Sequence, residues 1–264
     1  MSEEQPGIHS TTVGESGPTV VFLHGLFGQG RNFSKVARGL QPELRSVLVD
    51  LPNHGRSEWL GTADYVAVAD RVADWLRDGP AADAPVHLVG HSMGGKVAMV
   101  LALRHPELVD RLVVADISPV ASSGVGQFEH LLDSLAAVDL TSIGSRREAE
   151  EQLREPIPDD GVRHFLLTNL RARGDGFAWQ PDLALLRREL PTIGGFPEVG
   201  GVFDHPVLWV AGERSDYVLP EHGPQMRRLF PRTRAVTLKD AGHWVHSEQP
   251  EAFVSALKVF LTAE

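Results

Sequence analysis

The sequence predicts an α/β fold: a mostly parallel central sheet with helices on both faces and a helical cap inserted after the sixth major strand. Three observations carry that expectation. Short β-branched runs alternate with longer stretches of helical period, as in a sheet built from strand–helix–strand units. Most of the short runs are apolar almost throughout, which suits strands covered on both faces. One long stretch, residues 120–205, breaks the alternation and reads as helical. The 264 residues suffice for one large domain with such an insert.

In chain order, residues 19–23, 46–50, 86–89, 112–116, 207–211 and 235–238 read as strands. Between them, Phe33, Val36, Ala37 and Leu40 fall at i, i+3, i+4 and i+7. Tyr65, Val68, Ala69, Val72 and Leu76 extend a similar stripe over three turns, and Phe253, Leu257, Phe260 and Leu261 form a closing helix opened by Pro250. Each stripe buries one face and leaves the charges outside. The core is therefore expected at residues 1–119 and 206–264. The cap at 120–205 carries four helical stretches, near 131–136, 146–153, 162–170 and 183–190, and no convincing strand.

Composition removes several function classes. With no cysteine, disulfides, a thiol nucleophile and thiolate metal sites are excluded, and a reducing cytoplasmic setting is expected. A formal charge of -10 opposes nucleic-acid binding, which requires Lys and Arg to neutralise phosphates. No apolar run is long enough for a membrane span, and the polar start, with Glu3 and Glu4, lacks a signal-peptide pattern. Nothing in the sequence specifies an oligomeric state.

The chemistry is carried by Gly90-His91-Ser92-Met93-Gly94, between the run Val86-His87-Leu88-Val89 and a helical stretch. A serine in G-x-S-x-G at a sharp strand-to-helix turn has its Oγ exposed for attack, and the glycines let strand and helix approach closely. In that context the segment resembles the nucleophile elbow of the α/β-hydrolase fold, with Ser92 as nucleophile. The helix start then aims free N–H groups at the site. A tetrahedral intermediate needs two such donors. One is expected from Met93; the other comes from the turn His24-Gly25-Leu26-Phe27-Gly28, with Leu26 the first candidate and Phe27 the fallback. His24 is read as packing that turn.

Twelve histidines compete for the role of general base, and chain order decides among them. In this fold the order is Ser, acid, His. His243, after the last strand in Asp240-Ala241-Gly242-His243, fits; His246 is expected to face elsewhere. The acid is ambiguous. Three residues past Gly212, where a carboxylate is expected, stands Ser215, with Asp216 one place late. Asp116, ending the run Val113-Val114-Ala115, is the preferred acid and Asp216 the alternative, since ligands bind at the carboxyl ends of such strands. Asp50 is read as structural, bonding the turn at Asn53-His54-Gly55.

These stretches together resemble the YbfF-type bacterial esterases and their mitochondrial abhydrolase relatives. The matching segments are His24 to Gly28, Asn53 to Ser57, Gly90 to Lys96, Asp116 to Pro119, Ser215 with Tyr217, and Gly242 to His246. The resemblance implies carboxylesterase or thioesterase activity on a small-molecule acyl ester or thioester, with no metal or organic cofactor. It also implies an acid at Asp116 with Ser215 joining its network; Asp216, directly after Ser215, departs from the pattern and keeps the second acid open. The same triad serves cofactor-free haloperoxidases and perhydrolases, C–C bond hydrolases and acyltransferases, and the fold also serves ligand-binding proteins that catalyse nothing. Within the cap, Phe128, Phe165, Leu166, Leu167, Phe177 and Trp179 are candidates for an acyl pocket. Its arginines, among them Arg146 and Arg171, suggest a phosphate-bearing coenzyme A substrate, but the surplus of Asp and Glu there favours a solvated surface.

Overall fold

A computed structural model describes residues 7–122 and 125–263. Its centre is a seven-stranded sheet in the spatial order β1-β3-β2-β4-β5-β8-β9. The strands are β1 (Ser10–Val13), β2 (Thr19–Leu23), β3 (Arg45–Val49), β4 (Val86–His91), β5 (Val109–Ala115), β8 (Val207–Gly212) and β9 (Thr233–Leu238). All neighbours are parallel except β1, which runs antiparallel to β3 along one edge, with Ser10 opposite Val49. β1 was not expected: Ser-Thr-Thr-Val is short and mostly polar, as an edge strand can be. Counted along this chain, the strand before the insert is the fifth rather than the sixth.

The pleat divides the core in two. Val21 and Leu23 of β2 point into a cluster with α2 (Tyr65–Arg77) and α3 (Met93–Arg104), while Val20 and Phe22 face α1 (Ser34–Gly39) and α11 (Pro250–Leu261). The Asp64 side chain caps α2 by accepting from Val66 and Ala67 N–H, and Tyr65, Val68, Ala69, Val72, Ala73 and Leu76 bury its inner stripe. Helix α3 is buried from Met93 to Leu103, wedged between sheet and α2, so its N-terminus is held rigidly where β4 ends. The short helices α9 (Gly223–Leu229) and α10 (Val245–Glu248) complete this part.

Between β5 and β8 the described residues form α4 (Val125–Ala136), α5 (Arg146–Leu153), α6 (Asp160–Leu167), α7 (Leu183–Arg188) and α8 (Leu190–Gly194). The expectation of helices alone is corrected by a two-stranded hairpin, β6 (Leu170–Arg173) with β7 (Gly176–Trp179). Its two-residue turn is Gly174-Asp175, and Gly174 takes the positive φ of 58° that such a turn requires. Hence the helix expected to run to residue 170 stops at Leu167.

Candidate active site

Strands β4, β5, β8 and β9 all deliver a polar side chain just past their carboxyl ends. Ser92 leaves β4 with φ 53° and ψ -122°, a conformation that costs a non-glycine residue roughly 1–3 kcal/mol. The surroundings enforce it: Ser92 N–H donates to Ala115 O at 3.0 Å, and Lys96 N–H donates to Ser92 O at 3.1 Å. The turn closes only because Gly90 and Gly94 lack side chains. A Cβ on Gly90 would lie 2.3 Å from Gly94 O, and one on Gly94 would lie 2.4 Å from the carbonyl oxygens of Leu23 and His24.

A continuous polar relay starts from this serine. Ser92 Oγ is 2.9 Å from His243 Nε2, and His243 Nδ1 is 2.8 Å from Asp116 Oδ2. The carboxylate can only accept, so Nδ1 carries the proton and Nε2 is left to accept from the serine hydroxyl. Asp116 is fully buried, yet its charge is well provided for. Oδ1 accepts from Gly212 N–H at 2.9 Å, and Oδ2 also accepts from the Ser215 hydroxyl. Its own N–H donates to Val210 O at 2.8 Å, and like Ser92 it has a positive φ, 51°. Asp216 stays exposed and makes no hydrogen bond to His243 among the described residues, although it lines a cavity that His243, Ser215 and His222 also border.

His243 is fixed from three sides. The Tyr217 ring packs over the imidazole with centroids 4.2 Å apart. Burial, followed by the Asp116 charge, raises the Tyr217 phenol above its usual range, so it stays protonated. His91 Nε2 donates to His243 O at 2.8 Å, and its ring lies 4.8 Å from that of His243. Burial, with His246 and His243 beside it, holds His91 well below the usual imidazole range, leaving it neutral. Glu248 Oε2 accepts from Gly242 N–H at 2.8 Å and Oε1 from Trp244 N–H at 3.1 Å, which clamps the loop that presents His243. Sequence reasoning missed His91 and Glu248; the only signal for the first was a histidine beside the nucleophile. His246 turns away, its ring packed between Phe33 and His91 with centroids 4.7 Å from each.

The turn after β2 lies across from Ser92. His24 packs it, donating from Nδ1 to Gly25 O at 2.8 Å and accepting from Leu51 N–H at 2.9 Å. Gly28 N–H closes the turn on Gly25 O at 2.9 Å, and Phe27 takes a φ of 61°. Phe27 O accepts from Asn169 Nδ2 at 2.7 Å, so the insert reaches down to hold the turn. Met93 is the first residue of α3, where an N–H has no intrahelical acceptor. Asp50 has a structural place, accepting from Gly30 N–H at 2.8 Å and Arg56 N–H at 3.0 Å.

Two mainly apolar cavities meet at Ser92. Phe27, Phe128, Leu131, Phe165, Leu166 and Trp244 line one; Leu26, Tyr65, Met93, Ile117, Leu190 and Ile193 line the other. Of the expected pocket residues, Leu167, Phe177 and Trp179 instead pack into the main apolar cluster. Buried Lys96 borders the second cavity and ties the end of α8 to α3. It donates to Gly194 O at 2.8 Å and Gly195 O at 2.6 Å, while Tyr65 Oη donates to Ile193 O at 2.7 Å. Burial lowers the Lys96 ammonium to about 8. Among the described residues no cluster of three His, Asp or Glu side chains is arranged to hold a metal ion, and no helix is long and apolar enough to cross a membrane.

Comparison with known proteins follows the same lines. The model of a family described as alpha/beta hydrolase fold matches residues 18–250. The mouse protein named sn-1-specific diacylglycerol lipase ABHD11 is 40% identical over 250 residues, which cover 92% of this chain and 81% of that one. Esterase YbfF of Escherichia coli is 33% identical over 242 residues, 92% of each chain. Among solved structures, a marine microorganism esterase superposes with a TM-score of 0.92 at 31% identity, covering 96% of this chain and 99% of that one.

Proposed function

The chain belongs to the α/β-hydrolase family and is an esterase of the serine-hydrolase type, and from that premise we propose that it cleaves small to medium acyl esters through Ser92, His243 and Asp116. The observation that carries the reading is the unbroken relay from Ser92 Oγ through His243 to Asp116. As Ser92 attacks the ester carbonyl, His243 Nε2 takes the hydroxyl proton and Asp116 stabilises the imidazolium. The negative oxygen of the tetrahedral intermediate rests on the N–H groups of Met93 and Leu26, donors typically worth ~3 kcal/mol each. The C–O bond to the alcohol then breaks and His243 returns its proton to the leaving oxygen. Water, deprotonated by the same imidazole, releases the acid from the acyl-enzyme.

In this reading residues 120–205 act as a cap over the core formed by 1–119 and 206–264. One apolar cavity takes the acyl chain and the other the alcohol. The mouse relative is named as a diacylglycerol lipase, so glyceride esters belong among the substrates tested. A cytoplasmic location, matching the cysteine-free sequence, is part of the same proposal, and cell fractionation tests it.

The test of the activity is a panel of p-nitrophenyl esters from acetate to palmitate, with a diacylglycerol and an acyl thioester alongside. The highest kcat/KM is expected at short to medium chains. A steady climb to palmitate, or turnover of the thioester alone, contradicts the proposal.

A further inference from the structure

Four arginines from four separate segments gather where the insert meets the core. Arg31 lies in the turn after β2 and Arg56 in the loop after β3; Arg146 opens α5 and Arg171 sits in β6. Arg31 Nη2 donates to Thr168 O at 2.8 Å, an oxygen that Gln29 Nε2 also reaches at 3.2 Å. Arg171 Nη2 donates to Gln29 Oε1 at 3.4 Å, and Arg146 Nη2 donates to Leu170 O at 2.8 Å. Three guanidinium groups thus converge on Gln29 and residues 168–170. The Arg56 side chain has no partner among the described residues.

None of the four is paired with a carboxylate among the described residues, in a chain of formal charge -10. By contrast Arg71 and Arg104 each have one and Arg187 has two. The nearest counter-charge, Asp50, is already committed to Gly30 N–H, Arg56 N–H and the His9 ring. Burial eases both Arg31 and Arg171 below the usual guanidinium range; the neighbouring arginines, Arg146 and Arg56 among them, push the same way, and Asp50 opposes them. Packing like charges together is unfavourable unless an anion joins them, and guanidinium forks match phosphate oxygens.

We infer that Arg31, Arg56, Arg146 and Arg171 form a binding site for a phosphate or pyrophosphate group that bridges the core and the insert. The core supplies Arg31 and Arg56, the insert Arg146 and Arg171, so an anion there holds the two together. The site also communicates with the ester site. Arg171 touches Gln29, Gln29 Nε2 donates to Asn169 Oδ1 at 2.7 Å, and Asn169 holds Phe27 O in the turn facing Ser92. Summing charge along the insert alone, which favours a solvated surface at Arg146 and Arg171, leaves out the two arginines that the core adds. This inference does not rest on the hydrolase reading, because binding is measured without turnover.

The probe is inorganic pyrophosphate, titrated by calorimetry at low salt into the wild-type protein and the double variant Arg56→Gln/Arg146→Gln. Those two side chains are exposed, so folding should survive, and unchanged turnover of p-nitrophenyl butyrate without pyrophosphate verifies it. Saturable binding that the double variant weakens by at least about tenfold, and that rising salt weakens further, is the expected result. Absent binding, or equal binding by both proteins, overturns the inference. Kinetics separate the two sources of the anion. If the substrate carries the phosphate, wild type has a lower KM for butyryl glycerol phosphate than for monobutyrin, and the double variant loses that difference. If the anion is free, pyrophosphate changes wild-type turnover of monobutyrin and leaves the double variant unaffected.

Discussion

The Ser215 hydroxyl donates to Asp116 Oδ2, the oxygen that also accepts His243 Nδ1–H, although the two residues follow different strands. A carboxylate past β5 and a hydroxyl past β8 thereby occupy one hydrogen-bonding position behind the imidazole. Ser215 supplies a donor to the buried charge rather than a second charge.

Three substitutions follow from this arrangement. Asp116→Asn places an amide against His243 Nδ1 and favours the wrong tautomer, so kcat should fall by roughly 10⁴. Ser215→Ala removes one charge-assisted bond and should cost about tenfold in kcat. Asp216→Asn should stay within about twofold of wild type, the size of effect expected for a side chain outside the relay. Steady-state kinetics on p-nitrophenyl butyrate checks all three, and a larger loss at Asp216 than at Asp116 moves the acid.

Acid should unfold this protein through its buried histidines. Burial, with His243 beside it, lowers His246 from 6.5 to about 4, and burial, with His24 beside it, lowers His54 to about 3. Both folded values lie below the unfolded one, so the unfolded chain takes up protons first as pH falls. The stability these groups provide is present above pH 6.5 and is lost progressively toward 4 for His246 and toward 3 for His54. At pH 5 each should have cost about 2 kcal/mol. His246→Phe keeps an aromatic ring between Phe33 and His91 and should flatten the loss between pH 7 and 5, read from urea midpoints. An unchanged slope rejects the assignment.

Lys96→Met tests the tie between α3 and α8. Half-buried acceptors at Gly194 and Gly195 lose their donor, which should cost about 1 kcal/mol of stability. Because α8 walls one cavity through Leu190 and Ile193, KM should rise for esters with a bulky acyl or a bulky alcohol group, whichever that cavity takes, while kcat for acetate changes little. Equal losses in kcat for every ester contradict this role.

Two glycines should respond oppositely to alanine. Gly94→Ala drives a Cβ against two backbone carbonyls that cannot move without disturbing β2, so a loss above about 3 kcal/mol is expected. In α4, a Cβ on Gly126 meets nothing within 4 Å, and Gly126→Ala should stabilise by up to about 1 kcal/mol. Denaturant midpoints of the two variants make the comparison.

Much of the fold was legible because its signals are local and agree. The β4–Ser92–α3 turn needs small residues at Gly90 and Gly94, and the sequence supplies both beside a strand run and a helical stripe. The insert's helix at 146–153 showed the same clarity, while the stretch expected over 183–190 breaks at Glu189 into two short helices. The β6–β7 hairpin was harder to see, since Leu-Arg-Ala-Arg and Gly-Phe-Ala-Trp are short and only partly apolar; the Gly174-Asp175 turn was its one marker. Chain order proposed His243, and the end of an apolar strand run brought Asp116 forward, but the shared oxygen between Asp116, His243 and Ser215 depends on how three strands end in space. The arginine cluster was invisible for the same reason, being assembled from Arg31, Arg56, Arg146 and Arg171 only once the insert folds over the core.

The central claim is that Ser92 is the nucleophile, and covalent labelling with a fluorophosphonate tests it most directly. Intact-mass and peptide analysis should find one adduct, on Ser92, with loss of p-nitrophenyl ester turnover in proportion to labelling, and Ser92→Ala should neither label nor turn over. Labelling at another serine such as Ser118, or near-wild-type turnover by Ser92→Ala, would contradict the account.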